Sequence, residues 1–338
     1  LTKPQYTTET KLKRIAFLSE RDSHKQFRSL MHHFNEESLK ECFNLLKGKK
    51  AVGIDGINKE EYAKNLNENI TNLVAKMKRM SYRPGPIRQV QIPKEGRPGE
   101  TRPLGISNIE DKIVQKMMQR ILESIYEPLF LECSYGFRRE ISCHNAIKDM
   151  QNHLYQNRVE TVIDIDLANY FGSIDIKLLE EMLRGKIKDE KFMRYIIRMF
   201  KSGVLADGEL TVSEEGVAQG SIASPILSNI FAHYVIDEWI EKVAKPHCVG
   251  QIKLYRFCDD VVICCEFRKD AERVKEALGK RLAKYKLKLN EDKTKLVDFR
   301  KITGNRAAFD FLGFTYYLSK SKEGRIIPKL KTIGKRMR

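Results

Sequence analysis

TVIDIDLANYFGSID, residues 161–175, opens with apolar and acidic side chains in alternation: Ile163, Ile165 and Leu167 fall on one face of an extended strand, Asp164 and Asp166 on the other. One face is expected to pack and the other to carry charge. Downstream, KLYRFCDDVVICCE at 253–266 reads as a β-hairpin with Asp259 and Asp260 at its tip. Asp166 and Asp259 lie 93 positions apart, so their joint use requires the two stretches to meet in space. Helical spacing between and around them gives an α+β order whose strands cannot all be parallel.

Working outward, IRQVQIPKEGRPGETRPLGI (87–106) reads as two short strands joined by a loop of Gly, Pro and charge. Ser107 and Asn108 can cap the next helix, whose apolar stripe runs through Ile113, Val114, Met117, Met118, Ile121, Leu122 and Ile125. Spacing predicts further helices between Lys11 and Lys47, from Lys59 to Met80, from His144 to Tyr155, from Ile176 to Leu205 and from Ala271 to Lys286. SPILSNIFAHYVIDEWIEKVA (224–244) predicts one long helix, ADGELTVS (206–213) a hairpin, and KLVDF (295–299) and FDFLGFTYYL (309–318) strands.

A chain of 338 residues with 41% apolar content can bury a sizeable core. Its 62 Lys and Arg against 45 Asp and Glu leave a net charge of +17, spread along the sequence. Such a surface favours a polyanion, because each neutralised phosphate releases a condensed counterion, although many proteins are basic for colloidal reasons alone. Seven cysteines without a CxxC pair argue against a closed disulfide framework and fit a reducing compartment. No apolar run approaches a membrane span, and LTKPQYTTETKLKR at the start lacks the core of a signal peptide. A bacterial cytoplasm or an organelle is therefore the expected location, with no membrane partner.

Aspartates in a turn, or on the open face of a strand, are commonplace singly. Gathered together they repel one another unless cations neutralise them, and two Mg²⁺ ions, with Mn²⁺ as a substitute, satisfy that demand. Two such metals suit an in-line displacement at phosphorus.

In order along the chain, AVGIDG (51–56), RQVQIPKEGRPGETRPLGI (88–106), CSYGFR (133–138), DIDLANYFGSID (164–175), VAQGSIASPILSNI (217–230), FCDD (257–260), KLKLNEDKTKLVDF (286–299) and FDFLGFTYY (309–317) resemble the blocks of group II intron-encoded reverse transcriptases. DIDLANYFGSID resembles polymerase motif A, and FCDD the box usually written YADD. The resemblance covers residues 50–318. It implies an RNA-directed DNA polymerase that adds dNTPs to a DNA primer on an RNA template, and a maturase that binds intron RNA. It also implies a right-hand fold: an antiparallel palm sheet backed by helices, with interleaved helical and hairpin fingers.

The same resemblance implies roles for single residues. Asp166, Asp259, Asp260 and the backbone of Leu167 would hold the metals. Lys94 and Arg102, with Arg97 as a substitute nearby, would meet the triphosphate. Ala168, Asn169, Tyr170, Phe171, Gln219 and Lys293 would surround the nucleotide, with Phe171 as a steric gate against the ribose 2′-hydroxyl. Tyr170 is expected to point the other way if the strand persists. Leu312, Gly313 and Phe314 would grip the primer end. Four positions depart from the family pattern: Phe257 and Cys258, where tyrosine and alanine are usual, and Ala218 and Arg139, where proline is usual; a proline would fix φ there.

The expected organisation is a helical extension over 1–50, fingers over 51–155, palm over 156–318, and from 319 to 338 a basic stretch that begins the thumb helix or its linker. Leu1 in place of Met, and a basic end, give the reading of a fragment with the thumb largely absent. Two alternatives stand beside the polymerase: an RNA-binding splicing cofactor, and a host-defence or CRISPR-associated reverse transcriptase with the same palm.

Overall fold

Strand Thr161–Ile165 forms an inner strand of a four-stranded antiparallel sheet, between Asp260–Cys265 and Lys295–Asp298, with Ile252–Phe257 outside Asp260–Cys265. The computed structural model describes residues 7–48, 50–93, 99–206, 208–212, 216, 220–300 and 307–333. The chain divides into two compact units, one of Leu1–Phe130 with Ile174–Ser228, the other of Leu131–Ser173 with Asn229–Arg338. Each unit is thus built from two separated stretches of chain.

In the second unit, the inner strand is buried on both sides, contrary to the expectation of one charged face. Val162, which shares a face with Asp164, packs with Tyr255, Val262 and Cys264 against Ala146, Ile147, Met150 and Leu154 of helix Cys143–Gln156. A second, three-stranded antiparallel sheet of Ala308–Phe311, Phe314–Lys320 and Ile326–Thr332 completes that core with Phe309, Phe311, Tyr316 and Leu318. Phe309 and Tyr316 stack with ring centroids 5.1 Å apart. The opposite face, bearing Ile163 and Ile165, is served by helix Arg268–Lys284, whose Ala271, Val274, Leu278 and Leu282 recur at helical spacing and are buried.

Ile326–Thr332 is a strand where a helix or linker was expected. Its partner is Phe314–Lys320, and burial of Leu318 and Tyr316 against the helix draws the hairpin in. The long helix beginning at Ser224–Ala232 continues beyond it through π turns His233–Asp237 and Ile240–Ala244 to a 3₁₀ turn, Lys245–His247.

The first unit is mainly helical, around Ile109–Tyr126, whose whole predicted stripe is buried. Arg120 on this helix is buried too, and pairs with Glu41 at 2.9 Å and Glu9 at 3.3 Å, which ties helices Glu36–Leu45 and Thr8–Arg21 to it. Asn108 does not cap the helix through its side chain. Its Oδ1 instead accepts from the Ile54 N–H at 3.0 Å and so pins the GIDG turn. The helix expected from Lys59 to Met80 is two, Lys59–Lys64 and Leu66–Lys78, broken at Asn65, and that expected from Ile176 to Leu205 is Ile176–Lys186 and Glu190–Phe200. Asp189 caps the latter, accepting from the Lys191 and Phe192 N–H groups. Val204 and Leu205 then lie in a strand that pairs parallel with Ile87 and Arg88, extending the predicted 87–106 hairpin to four strands.

Asp111, in the first turn of Ile109–Tyr126, is buried and accepts from the Tyr82 hydroxyl and, at 3.1 Å, from the Gly85 N–H. Burial nevertheless pushes its carboxyl up to about 6. The folded state therefore holds this proton more tightly than the unfolded chain does. The associated stability, about 3 kcal/mol, is present below about pH 4 and is lost as pH rises through about 6. Asp111→Asn is expected to abolish this dependence, measured as the change in urea midpoint between pH 4.5 and 7; a variant as pH-sensitive as the wild type would contradict the assignment.

Candidate active site

The hairpin Ile252–Phe257 and Asp260–Cys265 turns on two residues, Cys258 and Asp259, with Phe257 paired to Asp260. Across the sheet, the last pair between the inner strand and this hairpin is Ile165 with Val261. The next residues outward on the two strands are Asp166 and Asp260, so the register brings these carboxylates to the same sheet end, with Asp259 beside them at the tip. Asp259 and Asp260 are exposed, and the Asp166 side chain is 41% exposed. Among the described residues, no three His, Cys, Asp or Glu side chains stand close enough together to hold a metal ion.

Residues 166–168 are sewn to the stretch 288–294. The Asn290 N–H donates to the Asp166 carbonyl at 2.8 Å and the Ala168 N–H to the Lys288 carbonyl at 3.0 Å, while Leu167 forms an isolated bridge with Leu289 and is buried. The Thr294 hydroxyl accepts from the Asp166 N–H at 3.3 Å. This brings Lys293 alongside, its Nζ 3.8 Å from Asp166 Oδ2, both side chains partly open to solvent. Lys293 and Asp166, 127 positions apart, therefore do meet.

The strand does not persist to Phe171. It ends at Ile165; Ala168 and Asn169 make a turn, with Asn169 at φ 45°, and Tyr170–Ser173 is a single helical turn. Asn169 is exposed and its amide lies so close to Gly172 that a Cβ there would stand 2.4 Å from it. Strand alternation therefore does not govern Tyr170 and Phe171, which share the helical turn. Tyr170 is buried, Phe171 is half-buried, and their rings meet edge to face at 5.6 Å.

Burial, and then Asp259, push the Cys258 thiol up, which leaves it a small buried thiol and not a reactive thiolate. Asp164 is pushed up to about 6 by burial, with Asp310 and Asp166 adding and Lys295 opposing.

Leu312 and Gly313 form the two-residue tip between Ala308–Phe311 and Phe314–Lys320, at φ 50° and 86°, and Phe314 pairs with Phe311. Positive φ at both central positions is the tight hairpin geometry for which glycine is suited. The other predicted contacts belong to the first unit. Arg102 lies exposed on strand Thr101–Ile106, opposite Ile92, while Lys94 and Gln219 lie outside the described residues. Gly220, next to Gln219, has φ 110° and runs so close to the Gly105 carbonyl that a Cβ would stand 2.3 Å from it.

Reading by motif missed Arg256. It is fully buried beneath the tip, ion-paired to Asp237, which is also fully buried, at 2.6 Å. Burial pulls the guanidinium down, and Asp237 more than reverses this. The signal available was one arginine within an apolar run, LYRF followed, after the tip, by VVICC.

Two kinds of similarity bear on this arrangement. Residues 92–316, which include every element of the site end just described, match the family described as reverse transcriptase (RNA-dependent DNA polymerase). The chain is 32% identical over 317 residues to protein YkfC of Escherichia coli (strain K12), covering 83% of this chain and 79% of that one. It is 36% identical over 166 residues to the group II intron-encoded protein LtrA of Lactococcus lactis subsp. cremoris, which is 49% of this chain and 27% of LtrA. It is 32% identical over 209 residues to a 91 kDa protein in the cob intron of Schizosaccharomyces pombe (strain 972 / ATCC 24843), covering 62% of this chain and 25% of that one. The paired strands with their three terminal aspartates thus lie inside a match that spans most of the sequence, and the chain belongs to the reverse transcriptase family, nucleotidyltransferases that copy RNA into DNA.

Proposed function

We propose that this chain performs RNA-templated DNA synthesis by adding dNTPs to a primer 3′-hydroxyl at the Asp166, Asp259 and Asp260 end of the four-stranded sheet. The observation that carries this reading is the register, which sets Asp166 and Asp260 abreast with Asp259 at the tip and Lys293 beside Asp166. In this reading the second unit is the palm, the first unit carries the fingers with hairpin 87–106, and the tip at Leu312, Gly313 and Phe314 grips the primer. The boundaries expected from the sequence, an extension over 1–50, fingers over 51–155 and palm over 156–318, follow the order of the motifs and cut across the two units, since 131–155 lies in the second and 174–228 in the first.

The family's chemistry depends on divalent metal. The donors at this site fit a hard cation in kind: carboxylate oxygens on partly exposed side chains and the Leu167 carbonyl. Mg²⁺, or Mn²⁺ in its place, would supply charge neutralisation on the polyphosphate and acidify the primer hydroxyl. The chain's own residues do the rest. Asp166, Asp259 and Asp260 fix the oxygens between which displacement occurs; by the family resemblance Lys94 and Arg102 would offset triphosphate charge and Gln219 would meet the incoming nucleotide. Ala168 and Asn169 shape the turn beneath it. Lys293, already next to Asp166, is placed to give a proton or charge to departing pyrophosphate. Phe171, half-buried in its helical turn, closes the space a 2′-hydroxyl would need.

Primer extension on an RNA template, with dNTPs or rNTPs, in Mg²⁺ and in chelator, tests the reading. DNA product dependent on the metal is expected. Phe171→Ala is expected to raise rNTP use relative to dNTP about 10- to 100-fold, the discrimination available from a single steric contact. No extension by the wild type in Mg²⁺ or Mn²⁺, or extension that survives chelation, would sink it.

A second reading, binding of intron RNA for splicing, is favoured by the net charge of +17 and by the similarity to an intron-encoded protein. It is compatible with the first. Splicing lost on neutralising Lys11, Lys13 and Arg14, yet retained without the three aspartates, is its distinguishing result. Seven free cysteines, and no helix among the described residues long and apolar enough to cross a membrane, suit work in a reducing, nucleic-acid-bearing compartment, bacterial cytoplasm or organelle.

A further inference from the structure

Arg256 has an acceptor for each of the N–H groups it carries. Nε and Nη2 donate to the two oxygens of Asp237, each at 2.6 Å. Nη2 also donates to Ser134 Oγ at 2.6 Å, and Nη1 to Asn229 Oδ1 at 3.0 Å and to the Cys258 carbonyl at 3.2 Å. A guanidinium is a rigid planar fork, so anchoring it on Asp237, Asn229 and Ser134 fixes where its remaining N–H points. That N–H holds the peptide leading from Cys258 into Asp259.

The turn needs such a hold. Cys258 sits at φ 62°, in the left-handed region that costs a non-glycine residue conformational energy, at the first central position of a two-residue hairpin turn. The segment 133–136 closes on it from another side. The Tyr135 N–H donates to the Arg256 carbonyl at 2.8 Å, Asn229 Nδ2 donates to the Gly136 carbonyl at 2.6 Å, and a Cβ on Gly136 would stand 2.5 Å from the Cys258 nitrogen. An ion pair serving stability alone would need only Asp237 and Arg256. Here the same guanidinium also reaches the backbone that carries the two aspartates.

We propose that Arg256, held by Asp237, Asn229 and Ser134, is the positioning residue of the Asp259–Asp260 turn: it locks the left-handed Cys258 peptide and thereby sets where the two carboxylates point. The proposal rests on the functional reading above, in which those carboxylates serve nucleotidyl transfer. Arg256 itself touches no substrate.

The test removes both charges together, with Asp237→Leu and Arg256→Met, since apolar replacement of a whole buried pair commonly preserves stability. Three results are expected: a melting temperature at or above that of the wild type, faster amide exchange at Asp259 and Asp260 while 252–256 and 261–265 stay protected, and a kcat for primer extension lowered about 10- to 100-fold with the dNTP KM little changed. Asn229→Leu, which removes one acceptor and leaves the ion pair, is the second variant, should the pair replacement not fold; it is expected to move exchange and kcat the same way by a smaller factor. Wild-type exchange in the turn, or wild-type kcat, in a folded variant would overturn the proposal. A wild-type protein that extends no primer would defeat the functional reading instead, and the exchange measurement would still decide whether Arg256 orders the turn.

Discussion

Asp259→Ala is expected to lower primer extension by about three to four orders of magnitude while leaving far-ultraviolet circular dichroism and melting temperature close to those of the wild type. The size follows from the several kcal/mol of charge stabilisation that a metal held by this carboxylate would contribute, at about 1.4 kcal/mol per factor of ten. The fold is spared because Asp259 is exposed at a hairpin tip and its side chain buries nothing. Asp166→Ala is expected to match it in activity. It also removes the partner of Lys293, a half-exposed pair worth at most about 1 kcal/mol. The measurement is single-nucleotide extension on an RNA template under saturating dNTP. Activity within about tenfold of the wild type in either folded variant would remove the carboxylates from the chemistry.

Asp237→Ala acts on the opposite quantity. It leaves Arg256 fully buried without its counter-charge, and breaking a buried pair in this way costs about 3–5 kcal/mol. For a unit of this size that corresponds to a fall in melting temperature of about 10 °C. Calorimetry of the single variant beside the double replacement separates charge burial from packing: the single should fall and the double should recover. Equal melting temperatures for Asp237→Ala and the wild type would mean that the pair is not desolvated.

The sheet end could be read in the sequence because its determinants are local. Alternation in TVIDI, the tip in FCDD and the β-branched run VVI each state a strand within a few residues, and the FLGF tip does the same with a glycine where φ must be positive. The stripe from Ile113 to Ile125 states its helix equally well. What stayed hidden depends on partners remote in sequence. IIPKLKT is basic, contains a proline and favours no strand until Phe314–Lys320 lies beside it. The turn after Ile165 depends on the left-handed Asn169 and on Gly172 giving room to its amide. The alternation expected of Tyr170 and Phe171 was conditional on a strand, and the strand ends before them. Arg256 looked like an ordinary basic residue in a basic protein; only the π turn that ends at Asp237 reveals its partner.

The inner position of Thr161–Ile165 also constrains how the molecule is made. Both its neighbours, Asp260–Cys265 and Lys295–Asp298, are encoded far downstream. During translation this segment leaves the ribosome with neither edge satisfied, and at about 5–20 residues per second it waits roughly 10 s for the second partner. Its unpaired backbone is then a template for the wrong strand. Pairings of such long sequence separation form late. The sheet end that carries Asp166 and Asp260 is thus among the last parts of the nascent protein to become ordered.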